Sequence, residues 1–144
     1  EDFFRYASKQ HLFVFKQLNL GNQGEAPIIA SSWFISSEIG NPIVVLTRNL
    51  LYAYWQDYDY LLNYFAFHLF FTMACRRYEN EWESIPAFNN SSPHMLMFEL
   101  KRDYSSERWE QLMKMSGIHK LQRYDDYSDL KKSNYCKILD TYLQ

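Results

Sequence analysis

The sequence predicts a mixed α/β domain, rich in helix and built on an aromatic core. Three observations predict it. One early segment, "HLFVFKQL" (His11 to Leu18), alternates in the manner of a strand and is rich in Phe and Val. Most later segments place apolar residues at helical spacing between recognisable caps and stops. Aromatic residues make up 19% of the 144 residues, with 12 Tyr and 11 Phe, and a chain of that length buries a real core as one domain.

Taken in order, the strand at His11 to Leu18 is followed by a loop, "NLGNQGEAP" (Asn19 to Pro27), marked by two Gly and a Pro. Ile28 to Ala30 reads as a short buried strand. Ser31 or Ser32 then caps a short helix ending at Gly40. Asn41-Pro42 opens a longer helix with Pro42 at its first position, and Ile43, Leu46, Leu50 and Tyr54 share one face. "QDYD" (Gln56 to Asp59) breaks the pattern and caps the next helix. From Tyr60 to Cys75 the chain is apolar nearly all round. That run is shorter than the about 20 residues a membrane span needs, and it contains Asn63, His68 and Thr72, so it is expected to be buried core.

"ENEWESIPAFNNSSPH" (Glu79 to His94) is an irregular connection, and "MLMFEL" (Met95 to Leu100) reads as strand or helix. "SSERWEQLMKMSG" is a punctuated helix with Ser105 as N-cap, an apolar face of Trp109, Leu112 and Met113, and Gly117 as stop. "IHKLQRY" (Ile118 to Tyr124) alternates as a short strand. A last helix runs from about Ser128 to Tyr142, with Leu130, Ile138, Leu139 and Tyr142 on its inner face.

Charge and cysteine usage narrow the function classes. A net charge of −2 leaves no basic footprint, so no nucleic-acid partner is expected. Lys131-Lys132 reads as a solvated face. Cys75 and Cys136 are expected as buried thiols in a reducing compartment, since two distant cysteines make neither a disulfide scaffold nor a zinc site. The Asn/Ser cluster at Asn89 to Ser92 matches a glycosylation sequon but follows no visible signal peptide. The chain begins at Glu1 and not at Met, and a fragment or processed product is the expectation.

Five features carry candidate chemistry, the first three beside a plainer reading. Asp57-Tyr58-Asp59 is a literal Asp-x-Asp, the arrangement that holds a divalent cation against a diphosphate; capping of a turn explains it equally. Tyr60, Tyr64 and His68 fall at spacings of four, a stripe suited to stacking a base or sugar, or a core histidine among its neighbours. Trp33 lines a site or packs. His119-Lys120 offers an imidazole for a metal and an ammonium for a phosphate, and His94 stands in a loop after Pro93. No phosphate-binding glycine loop, nucleophile elbow or zinc-protease motif occurs.

The ordered set "SSWFISSEIGNPIVVLTRNLLYAYW", "DYLLNYFAFHLFF", "IPAFNNSSPHML" and "GIHKLQRY" resembles the bacterial capsular polysaccharide synthesis proteins, glycosyltransferases of the Asp-x-Asp mannosyltransferase-like group. The matching positions are Trp33-Phe34-Ile35, Gly40-Asn41-Pro42, Tyr54-Trp55, Asp59, Tyr64-Phe65, His68 and Ile118 to Leu121, and the resemblance covers Phe3 to Tyr124. It implies the C-terminal portion of a GT-A-type fold and transfer of a sugar from a nucleotide-sugar donor. The acceptor would be a growing oligosaccharide or lipid-linked glycan, with help from Mn²⁺ or Mg²⁺. It implies His119 as a metal ligand, Lys120 near the diphosphate, and Trp33, Asp59, Tyr64 and His68 along the substrate cleft. It leans towards retention at the anomeric carbon. It implies a cytoplasmic protein, with room for peripheral contact at the inner face of the membrane.

The family's own Asp-x-Asp precedes the region matching Glu1, so the chain departs from the pattern there, and Asp57-Tyr58-Asp59 is not equated with it. The isolated chain is therefore expected to be inactive. Two other readings stand beside the enzyme. One is a non-catalytic carbohydrate- or protein-binding module using the same Trp and Tyr surfaces. The other is a membrane-associated helical protein anchored by Tyr60 to Cys75.

Overall fold

The computed structural model describes residues 3–16, 28–88, 90–122 and 130–142. It is a helix-rich mixed α/β chain with one two-stranded antiparallel sheet among the described residues. It divides into two compact units, one spanning Phe3–Phe88 and the other Asn89–Gln144.

The first unit begins with a short helix, α1 (Phe3–Ser8), and strand β1 (Leu12–Lys16). β1 is the strand expected at His11 to Leu18, buried along nearly its whole length. Both faces of β1 are covered, as for any strand that reads as a continuous apolar run. Leu12 and Val14 face a core with Ile43, Phe71, Ala74, Cys75 and Ile85. Phe13 and Phe15 face the other way into a ring cluster, with Phe3 and Phe88 at 5.4 and 5.5 Å from Phe13 in edge-on contact. Such pairs contribute about 0.5–1.5 kcal/mol each beyond their area.

The partner strand, β2 (Ala30–Ser37), replaces the helix expected after Ser31 or Ser32. It pairs antiparallel with β1, Leu12 opposite Ser37 and Val14 opposite Ile35, with an irregularity between Val14 and Lys16. The serines that read as caps are strand residues. Gly40 does not end a helix. It turns the chain from β2 into α2 at φ 84°, a conformation that favours glycine.

Helix α2 (Pro42–Asp57) starts where expected, with Pro42 in its first turn and Asn41 as N-cap. The Asn41 Oδ1 accepts from the N–H groups of Ile43 and Val44 at 3.1 and 3.3 Å. Its Nδ2 donates to the His11 carbonyl and to Glu81, so one buried side chain ties α2 to β1 and to α4. α2 packs along α3 (Ala66–Arg77), and α4 (Glu79–Ser84) follows at once, inside what the sequence reads as an irregular connection. Cys75 lies buried in α3, and burial pushes its thiol up to about 12, which makes it a packing residue and not a nucleophile.

In the second unit a 3₁₀ turn (Ser92–His94) leads into α5 (Met95–Glu99), which settles the ambiguous "MLMFEL" as helix. α6 (Ser106–Met115) is capped by Ser105 as expected, and α7 (Asn134–Tyr142) closes the unit. Leu96, Leu100, Leu112, Leu130, Tyr135 and Ile138 form the core. Tyr142, expected on the inner face, is exposed. Residues 118–122 are irregular and form no strand. The loop at Asn19 to Pro27, the sequon residue Asn89, Arg123 and Tyr124 of the expected strand, and the expected helix start at Ser128 lie outside the described residues.

Candidate functional site

α2 stops at Asp57 and α3 starts at Ala66, so Tyr58 to Phe65 is a connection and not the first turns of a buried helix. The stripe expected from Tyr60, Tyr64 and His68 therefore does not exist. Tyr60 and Tyr64 are exposed, Tyr64 at 85%, and Leu61 and Leu62 are exposed with them. Expected core is here surface. Asn63 and Tyr54 explain why the chain leaves the helix. The Asn63 Oδ1 accepts from Phe65 N–H at 2.7 Å, a local turn that competes with helix. The Tyr54 hydroxyl donates to the Tyr60 carbonyl at 2.6 Å and accepts from Leu62 N–H at 2.9 Å. One phenol thus pins the middle of the loop, at Tyr60 and Leu62.

Around that clip the rings run in sequence. Tyr58 stacks on Tyr54 at 5.1 Å, Trp55 meets Tyr54 edge-on at 5.1 Å, and Tyr64 meets Phe65 at 5.1 Å. Exposed patches of this extent on a folded protein mark interaction surfaces. Asp57 and Asp59 are exposed at its edge.

The remaining candidates are placed as follows. Trp33, on β2, stacks flat on Phe15 at 4.9 Å and 12° and is half-buried. His68, on α3, packs edge-on against Phe65 and Phe67, both at 5.6 Å. Its Nδ1 is buried with no hydrogen-bond partner among the described residues, and burial lowers its pKa. Tyr64, Phe65 and His68 form one chain of rings; Asp59 and Trp33 are not part of it.

In the second unit His119 and Lys120 follow α6. Ser116 shapes the turn, its hydroxyl donating to the Ile118 carbonyl at 2.6 Å, and Lys120 N–H donates to the Pro93 carbonyl at 2.9 Å. The His119 Nδ1 is buried and, among the described residues, unpartnered. Burial lowers the His119 pKa, partly opposed by the Ser116 backbone, so the ring is neutral at pH 7 and has a lone pair to give. The His94 Nδ1 is instead engaged by the Asn90 carbonyl at 2.6 Å. Among the described residues no group of three His, Cys, Asp or Glu is arranged to hold a metal ion, so His119 is a single donor and not a completed site. Among the same residues no helix is long and apolar enough to cross a membrane.

A second feature lies beside the aromatic surface. Ile35, Val44, Thr47, Leu51, Phe67 and Phe71, with the exposed Arg48 and Tyr52, line an apolar cavity of about 170 Å³ between β2, α2 and α3 that is half open to the surface. The sequence puts Ile43, Leu46, Leu50 and Tyr54 on one face of α2, and the resemblance singles out Trp55 but neither Arg48 nor Tyr52. Their spacing of four and three puts them on one helical face, and that periodicity was available in the sequence.

The two units thus define a helix-rich α/β protein with a clipped aromatic surface and, in each unit, a histidine whose Nδ1 is buried without a partner among the described residues. The model of the family described as capsular polysaccharide synthesis protein matches residues 1–139, and the chain belongs to that family. This ties it to capsule biosynthesis. No curated protein and no solved structure matches the chain.

Proposed function

We propose that the chain is part of a metal-dependent glycosyltransferase that moves a sugar from a nucleotide-sugar donor to a growing capsular or surface polysaccharide. The observation that carries this reading is the exposed aromatic surface of Tyr52, Trp55, Tyr60 and Tyr64 in a member of a capsule-synthesis family. Sugar rings present apolar C–H faces and a rim of hydroxyls. Aromatic rings with polar tips take the faces, and carboxylates such as Asp57 and Asp59 accept from the hydroxyls. The clip from Tyr54 pre-orders this surface, which lowers the ordering cost of binding.

A bound Mn²⁺ or Mg²⁺ would supply charge stabilisation for the leaving diphosphate. On this reading His119 contributes one ligand, with its remaining ligands from outside the described residues, and Lys120 neutralises diphosphate charge. The work is done at the cytoplasmic face of the membrane, where nucleotide-sugar donors meet the acceptor. A carbohydrate-binding module without catalysis would use the same aromatic surface, and transfer activity separates the two.

The test is His119→Ala in the intact enzyme, which should abolish metal-dependent transfer. Near-normal activity would sink the assignment. Trp55→Ala should raise the acceptor KM about tenfold with kcat largely kept, a loss of about 1.4 kcal/mol of acceptor binding.

A further inference from the structure

The cavity beneath Tyr52 has an unusual lining for a place so close to the surface. Its one buried hydroxyl, on Thr47, is spent on the Ile43 carbonyl at 2.7 Å. The wall is apolar throughout, so Arg48 contributes its methylene stem, and its exposed guanidinium stays at the edge. That guanidinium donates to the Asn49 side chain at 3.2 and 3.3 Å and, among the described residues, makes no ion pair. A dry cavity of about 150 Å³ takes a six-carbon ring, so about 170 Å³ holds a chain segment of similar size. An apolar slot with an exposed guanidinium at its mouth, in no ion pair among the described residues, complements an amphiphile with one hydrocarbon chain and an anionic head.

The helix supplies a direction. Arg48, Tyr52 and Trp55 follow one another along one face of α2, rising about 1.5 Å per residue towards the aromatic connection. A chain seated in the cavity places its head group at Arg48, and whatever the head group carries is led over Tyr52 and Trp55.

We infer that this cavity binds the proximal hydrocarbon of a lipid phosphate, with Arg48 on the phosphate, so that the acceptor is a lipid-linked glycan whose sugars lie along Tyr52 and Trp55. The inference rests on the transferase reading for the glycan, but the lipid site is read by binding alone, without turnover. Loss of one therefore leaves the other standing.

The experiment titrates the full chain with dodecyl phosphate and, separately, with the neutral dodecyl maltoside, each below its micelle concentration, followed by calorimetry. A single saturable site for dodecyl phosphate is expected. Val44→Trp, which fills the cavity, should weaken both ligands at least tenfold. Arg48→Gln should weaken dodecyl phosphate at least tenfold and leave dodecyl maltoside within about twofold, and Arg48→Lys should restore most of the loss. If Val44→Trp does not fold, Leu51→Phe provides the smaller obstruction, and Arg48→Gln, at an exposed position, reads the head group regardless. No saturable binding, or binding that survives both the filling variant and Arg48→Gln, overturns the inference. Loss with the filling variant but not with Arg48→Gln overturns the phosphate assignment. Association with phosphatidylglycerol vesicles that persists in the filled variant assigns the surface to the bilayer and overturns capture of a single lipid.

Discussion

Glu99 shows how one residue organises the second unit. It is 4% exposed, and its carboxylate accepts from the Nε and Nη2 of Arg108, with Arg102 at 3.9 Å. Its backbone carbonyl accepts from the Asn134 side chain at 2.9 Å, which fixes the start of α7. A buried carboxylate persists only when it is paired and hydrogen-bonded in this way. The bond from Arg108 holds the Glu99 carboxyl below its ordinary value, against the opposing pull of burial. A depressed folded-state pKa contributes stability that is present above the unfolded value, about 4.3, and is lost as pH falls through the folded value. Glu99→Gln should therefore lower the urea midpoint at pH 7. The gap from the parent should close as both are taken below about pH 4. A gap that stays constant across that range would show that the pair contributes by packing and not by charge.

At the scale of elements, Asn41 is the residue on which α2 depends. It caps the helix and also reaches the His11 carbonyl and Glu81 from a position 1% exposed. Asn41→Ala should cost about 1–2 kcal/mol, at the upper end for a cap, read as a shift in urea midpoint at unchanged m-value. This helix start was legible because every signal for it is local: Asn, then Pro, then apolar spacing. The same holds for Ser105 and α6. β2 was not legible. Its serines satisfy the local rules for a cap, and only pairing with β1, distant in sequence, makes them strand residues. The stretch from Tyr60 to Phe65 failed for a related reason. Composition marks it as core, yet the Asn63 turn and the Tyr54 clip take it out of the helix, and neither hydrogen bond is a pattern of hydrophobicity. Of the candidate site, the residue types were legible and the grouping was not. His119 was found as a donor, whereas Arg48 and Tyr52 gain meaning only from a cavity assembled by three elements.

At the scale of the whole chain, the two units carry different chemistry. The first holds the aromatic surface and the apolar cavity; the second holds His119, the imidazole proposed above as a metal ligand. A divalent cation holding a diphosphate draws on several oxygen or nitrogen ligands, and one neutral histidine does not fix it. With the described residues offering one histidine and no group of three ligands, the chain should show no metal-dependent gain in nucleotide affinity. Calorimetric titration of UDP or GDP, with and without Mn²⁺, should give the same weak or absent signal in both cases. The same preparation should bind dodecyl phosphate, because that site is complete within the first unit. Tight binding that requires Mn²⁺ would place further ligands within this chain, and its loss in His119→Ala would identify the histidine as their partner. Absence of binding, with lipid phosphate still bound, would mean that the chain carries an acceptor site and that the donor site needs residues it does not contain.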